Sequence, residues 1–317
     1  MKRRDFIKAA ALPFFLPKIS LAFPKNLPFF GWIPNEAKVL PSVYQRGNLE
    51  GFGEEKVAML IRAYTSVRNK PWKPRFQEWG DCVAQASGAA VDVLTACQIF
   101  YFGREQKYVA DSSTDMIYSG CRNLIGRKEI VGRMPSAGAY GGWAVEYLKQ
   151  YGNLLRINYP PYDLRPYSKK TVRYWDREGI PDPLQKEAKK HPILDYAPVY
   201  SFKEVRDAVA AGHPIVFCGY IGAEDDQRDK DGFVKPRGRW PHAWLLAGVQ
   251  DGKRPGALLV NSHGPNFGRG PKTYGQPDGS VWIDAEYIDQ QVSKYRDSYA
   301  LTLYKGFEAP EEDYVIW

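Results

Sequence analysis

The chain has 317 residues, 44% of them hydrophobic and 14% aromatic, enough to bury a sizeable core in one large domain or two small ones. Half of the net charge of +8 comes from the first 22 residues, where Lys2, Arg3, Arg4, Lys8 and Lys18 face only Asp5, and the remainder leaves no footprint for nucleic acid. Four cysteines, at 82, 97, 121 and 218, are too few for a disulfide scaffold, although a single Cys97–Cys121 bridge is compatible with the sequence.

The N-terminus opens Lys2-Arg3-Arg4-Asp5-Phe6-Ile7-Lys8, which resembles a twin-arginine export signal. The uncharged stretch at 9–17 is too short to span a bilayer and is broken by Pro13 and Pro17. Ser20-Leu21-Ala22 offers a small-x-small cleavage site, so the mature protein is expected to begin at Phe23 in a periplasmic or extracellular setting. This reading makes the export machinery a transient partner and leaves no membrane contact in the mature form. No later stretch reaches membrane-spanning length.

Residues 23–70 read as an N-terminal extension, with an apolar, turn-rich run Phe29-Phe30-Gly31-Trp32-Ile33-Pro34 and one amphipathic helix expected over 54–67. Such an extension either packs permanently on the domain or masks a cleft. Residues 71–198 read as a helical half. A helix is expected from Cys82 onward, a second follows Ser112 or Ser113 as cap, and a third runs over 141–151 to Gly152. The charged, proline-rich 160–191 reads as a surface loop with one helix. From about 199 the pattern changes. A short helix over 202–211 stops at Gly212, and apolar runs at 215–220, 244–250, 257–261, 279–283 and 299–304 read as strands between Gly, Pro or Asp turns. Helices followed by strands indicate an α+β fold ending near 308, with 309–317 as a tail. The acidic run at 224–232 lacks the spacing of a calcium loop and reads as solvated. Neither zinc-ligand spacing nor a nucleotide-binding motif is present, so no metal or cofactor is expected.

Three stretches carry chemistry. In Gln77-Glu78-Trp79-Gly80-Asp81-Cys82, a Gly-Asp turn delivers a cysteine to the first turn of an apolar helix. Asp81 is the expected N-cap, and the exposed N–H groups and helix dipole there favour a thiolate. In Pro241-His242-Ala243-Trp244 a histidine heads a long apolar strand, whereas His191 and His213 each precede a proline in loop-like sequence. In Val260-Asn261-Ser262-His263-Gly264 an apolar run ends in an asparagine.

Cysteine, then histidine, then asparagine is the chain order of the papain-like triad, and the chain resembles the papain-like cysteine peptidases. The resemblance extends over residues 71–303: Gly141-Gly142-Trp143-Ala144 is similar to the family's Gly-Gly segment with its following helix, Tyr159-Pro160-Pro161-Tyr162 to its Tyr-Pro-Tyr segment, and Gly212-His213-Pro214-Ile215-Val216 to the start of its first barrel strand. It implies a helical half carrying the nucleophile and an antiparallel, barrel-like half carrying histidine and asparagine. There are three departures. Trp79 stands where the family has a disulfide cysteine, His263 stands where it has a tryptophan after Asn-Ser, and Gln77 is one residue closer to the nucleophile than the family's oxyanion glutamine.

The resemblance implies an endopeptidase acting on protein or peptide substrates. Cys82 attacks a peptide carbonyl and forms a thioester acyl-enzyme, His242 exchanges the proton, Asn261 orients His242, and Gln77 with the Cys82 backbone N–H receives the oxyanion. Two other readings share these residues: a cell-wall amidase or endopeptidase using a Cys–His dyad, and a papain-like fold retained for binding without turnover.

Overall fold

The computed structural model describes residues 31–34, 40–46, 49–126, 137–223 and 226–307. The export-like segment at 1–22, the tail at 309–317 and Glu224 lie outside the described residues. In chain order the first half holds α1 (Val43–Arg46), β1 (Val57–Met59), α2 (Ile61–Arg68), α3 (Cys82–Phe100), α4 (Thr114–Gly120, running on as a π turn over Cys121–Ile125) and α5 (Gly141–Gln150). A small hairpin of β2 (Asn158–Tyr159) and β3 (Tyr162–Asp163) leads to α6 (Lys169–Glu178), α7 (Asp182–Ala188) and β4 (Ile193–Pro198). Then follow α8 (Phe202–Ala210), β5 (Ile215–Gly219), β6 (His242–Gln250), β7 (Gly256–Val260), β8 (Ser280–Asp284), α9 (Ala285–Tyr295) and β9 (Tyr299–Tyr304). This is the α+β arrangement expected from the sequence.

Seven strands form one antiparallel sheet, ordered β4-β9-β5-β6-β7-β8, with β1 also paired to β6. Every residue of β6 is buried, which explains why its sequence is continuously apolar rather than alternating. Its first residue, His242, lies opposite Gly219 of β5, and its last, Gln250, lies opposite Val57 of β1. The strand carrying the candidate base is therefore held in register at both ends.

Helix α3 is buried on all sides from Cys82 to Gln98. Contrary to the expectation that no later stretch reaches membrane-spanning length, this helix is long and apolar enough to cross a membrane by length and composition, but its apolar length is buried in the core. Two of its buried polar groups are tied to other parts of the fold. Asp92 pairs with Arg75 and accepts from Ser112 N at 2.8 Å and Ser112 Oγ at 2.7 Å, while Gln98 brackets the backbone of Tyr304. An unpaired charge at such depth costs several kcal/mol, so these contacts are conditions of the helix being there.

The extension differs from its expectation. The helical period over 54–67 is interrupted: Val57, Ala58 and Met59 are a strand, and only Ile61–Arg68 is helical. The pairing of β1 with the far end of β6 outweighs the local period. Asp207, wholly buried on α8, receives the backbone N–H groups of Gly51 at 2.9 Å and Gly53 at 2.8 Å, the Tyr44 hydroxyl, and the Arg206 guanidinium at 2.8 Å. Tyr200 both donates to the Leu40 carbonyl at 2.9 Å and accepts from its N–H at 3.0 Å. Residues 40–46 and 49–68 are therefore built into the fold. In the charged 160–191 stretch two helices stand where one was expected. The second, α7, begins beside Pro183, whose fixed φ suits a first turn.

Candidate active site

Cys82 is the first residue of α3, with Asp81 at the N-cap position. Asp81 does not cap, contrary to expectation: its carboxylate accepts from Gln85 Nε2 at 2.9 Å, one turn along, instead of from the helix N–H groups. Burial pushes Asp81 up to about 7. The sulfur of Cys82 is fully buried, with the backbone N–H groups of Ala243, Gly31 and Val83 directed at it. Burial outweighs those donors and pushes the thiol up to about 12, the reverse of the depressed value that a helix start alone suggests.

The Ala243 contact brings the start of β6 onto the start of α3, and with it His242. His242 Nε2 lies 2.9 Å from Asn261 Oδ1. The amide orientation is fixed independently, because the backbone N–H of Ser262 donates to the same oxygen at 2.8 Å. An oxygen there can only accept, so Nε2 of His242 carries a proton, and proton exchange with a thiol falls to Nδ1. Burial pushes His242 down to about 4, with Asn261 opposing the shift. In this arrangement sulfur and imidazole are both neutral at ordinary pH.

Gln77 is buried and tied to the strand end that carries Asn261. Its N–H donates to the Ser262 carbonyl at 2.9 Å, and its Oε1 accepts from Ser262 Oγ at 2.5 Å. Its Nε2 donates to the Trp79 carbonyl at 2.9 Å. Trp79 packs beneath the guanidinium of Arg173, 5.0 Å from the ring centroid, and its indole N–H donates to the Tyr118 hydroxyl at 3.2 Å. Cys97, Cys121 and Cys218 are buried and free, so the bridge left open by the sequence does not form.

His263 packs against the site. Its ring centroid is 4.7 Å from that of His242 and 5.8 Å from that of Trp240. Its Nδ1 lies 3.1 Å from Asn261 Nδ2.

The group that covers the site belongs to the apolar run of the N-terminal extension, for which the sequence left permanent packing and masking of a cleft both open. Residues 31–34 run as a strap across it. Ala139 N–H donates to the Gly31 carbonyl at 2.8 Å and Ile33 N–H to the Ala139 carbonyl at 3.0 Å, in a parallel bridge, while Trp32 N–H reaches the carbonyl of Pro241, next to His242, at 3.3 Å. The Trp32 indole is buried edge-on between Tyr220 and Tyr295, and its N–H donates to Asp297 Oδ2 at 2.9 Å. Asp297 also accepts from Gly141 N at 2.7 Å and Gly142 N at 2.8 Å, at the start of α5. The Gly141-Gly142 pair thus opens a helix and anchors the strap's acceptor, and the backbone that pairs with the strap is that of Ala139. Among the described residues no cluster of His, Cys, Asp or Glu could hold a metal.

No protein-family model matches the chain, and no curated protein sequence matches it. Among solved structures it is similar to xylellain, a cysteine protease from Xylella fastidiosa, at 19% identity over 87% of this chain and 96% of that one, with a TM-score of 0.58. It is also similar to procathepsin B S9 from Trypanosoma congolense, at 13% identity over 87% of this chain and 86% of that one, with a TM-score of 0.55. The chain has the fold of the papain-like cysteine peptidases.

Proposed function

From a papain-like fold whose nucleophile helix and histidine strand meet at their first residues, we propose that this protein is a cysteine endopeptidase. Cys82 is the nucleophile, His242 the proton carrier, Asn261 the orienting amide, and Gln77 with the Cys82 backbone N–H the oxyanion donors. The observation that carries the reading is the 2.9 Å contact between His242 Nε2 and an Asn261 oxygen whose identity the Ser262 N–H fixes. It gives the imidazole the tautomer needed to take a thiol proton at Nδ1. Protein or peptide chains are the substrates, and no metal or cofactor takes part.

The buried sulfur favours a second reading, a binding protein without turnover. Casein hydrolysis and labelling by a thiol-directed epoxide separate the two, each compared with Cys82→Ala. Hydrolysis and labelling that both vanish in Cys82→Ala support the peptidase; an inert Cys82 with the strap displaced supports the binding protein. Digestion of purified peptidoglycan in place of casein is the outcome that the cell-wall reading requires.

Residues 1–22 act in this proposal as a twin-arginine signal, resting on Arg3-Arg4 and Ser20-Leu21-Ala22. Replacing both arginines by lysine is expected to retain the protein in the cytoplasm. Exported material is expected to begin at Phe23, and exported protein still beginning at Met1 would refute cleavage.

A further inference from the structure

We propose that His263 is a positioning residue for the catalytic pair: its Nδ1 accepts a hydrogen bond from the Asn261 amide and holds the Asn261 carbonyl oxygen on His242. The inference rests on the peptidase reading for its kinetic consequence, but its geometry stands apart from it.

The argument begins at Ser262. Its backbone N–H lies 2.8 Å from Asn261 Oδ1, and a backbone N–H can only donate, so that atom is the amide oxygen. The other terminal atom of Asn261 is therefore the NH2 group, a pure donor. It lies 3.1 Å from His263 Nδ1, which must then be an acceptor, with the ring proton on Nε2. His263 is thus a neutral imidazole in one defined tautomer. Burial favours the same state, holding this imidazole well below its ordinary value, and the neighbouring His242 acts in the same direction.

The amide is gripped at both ends. Ser262 N–H and His242 Nε2 share its oxygen, and His263 takes its nitrogen. Rotation of the amide by half a turn would set NH2 against two donors and oxygen against the lone pair of His263. The carrier of that lone pair is itself fixed. The backbone of His263 bridges Phe76, beside Gln77, and its ring lies between His242, Trp240 and Phe267 at centroid separations of 4.7, 5.8 and 6.0 Å. An apolar ring in the same place would cover the His242–Asn261 contact equally well and would leave the NH2 group without this acceptor. His263 supplies both.

Two substitutions divide these contributions. His263→Asn can keep an acceptor near the position of Nδ1 and loses the ring; His263→Phe keeps a ring and loses the acceptor. In the full chain, measured on a fluorogenic peptide, His263→Phe is expected to lower kcat about tenfold, the equivalent of roughly 1.4 kcal/mol, with KM unchanged, and His263→Asn is expected to stay within about threefold of the parent. The reverse order, or two variants equal to the parent, would overturn the proposal and leave His263 as ring cover alone. Nitrogen NMR of the full chain with labelled histidine, assigned through His263→Asn among the four histidines, supplies a readout that packing does not move. His263 is expected with its proton on Nε2 at neutral pH. A proton on Nδ1 would overturn the proposal even if both variants lost activity through misfolding, and a proton on Nε2 would support it in that case. If the parent cleaved no peptide, the peptidase reading would fall while the tautomer still decided this one.

Discussion

Gly31 meets Gly80 so closely that a Cβ on Gly31 would stand 1.9 Å from the Gly80 carbonyl oxygen. No rotation of a neighbouring side chain relieves that contact, because the atoms opposite are backbone. The strap can lie over Cys82 only with glycine at 31. Gly31→Ala is therefore expected to lift it, raising the rate of Cys82 alkylation in the full chain at least tenfold with little change in the unfolding midpoint. An unchanged rate would mean that the strap does not limit access to the sulfur.

Trp32 is the anchor of the same segment. Truncating a buried tryptophan removes about 3–5 kcal/mol of packing, and here it also leaves Asp297 with one donor fewer. Trp32→Ala is expected to raise both alkylation and peptide turnover by a larger factor than Gly31→Ala. Titration by a free peptide of sequence 29–34 should reverse the effect.

The pH dependence follows from burial. With the thiol pushed up to about 12 and His242 down to about 4, the covered site holds neither thiolate nor imidazolium through the neutral range. A thiol reacts as its thiolate, so alkylation of the parent chain should stay slow at neutral pH and climb only toward strongly alkaline pH. Letting water into the site in Trp32→Ala relieves the desolvation, and the alkylation profile should move to lower pH. A parent profile already flat and fast at pH 6 would contradict this account.

Gln77→Ala tests the oxyanion assignment. Losing one such donor typically costs about 10²–10³ in turnover. The variant also loses the contact with Ser262 Oγ, so Ser262→Ala is the companion: it removes that contact and keeps the amide. A large loss in kcat for Gln77→Ala beside a small one for Ser262→Ala is expected. Equal losses would assign Gln77 to holding the loop.

Asp207 predicts a stability profile. Its burial acts to raise it, but Arg206, Tyr44 and the N–H groups of Gly53 and Gly51 prevail and hold it below the usual carboxylate value. A depressed carboxylate stabilises the fold above its unfolded value, near pH 4, and that contribution is lost as pH falls through the lower folded one. Asp207→Asn should lower the unfolding midpoint at pH 7 by roughly 5–10 °C, equivalent to about 3 kcal/mol, and by much less near pH 3. A pH-independent difference would point to lost shape rather than lost charge.

How much was legible varies with how local the cause is. The start of α3 and the run of β6 were readable because a glycine-acid turn, a helical period and an unbroken apolar run are each contained within a few residues. The pairing of His242 with Asn261 was readable only through the resemblance, since two adjacent strands must bring the residues together. Val57-Ala58-Met59 was misread because its strand character comes from Val249 and its neighbours on β6, not from its own sequence. The tuning of Cys82 was misread for a similar reason: the helix start is local, but the backbone that buries it comes from Gly31. Nothing near Gly31 or Trp32 in the chain marks them as facing a nucleophile.

In sequence, residues 35–39 connect the strap to the segment that begins at Leu40, and the proposed signal cleavage before Phe23 would leave that link whole. On the proposed peptidase reading, an unbroken link makes the strap an intramolecular competitor of substrate, at an effective concentration on the order of millimolar whatever the protein concentration. One cut in the link converts it into a separate short peptide at the concentration of the protein itself. Residues 40–46 and 49–68 would stay behind on α8 and β6. Exposure of the site then becomes a matter of dilution: the cut product should be more open the more thinly it is spread, and the uncut chain equally closed at every concentration.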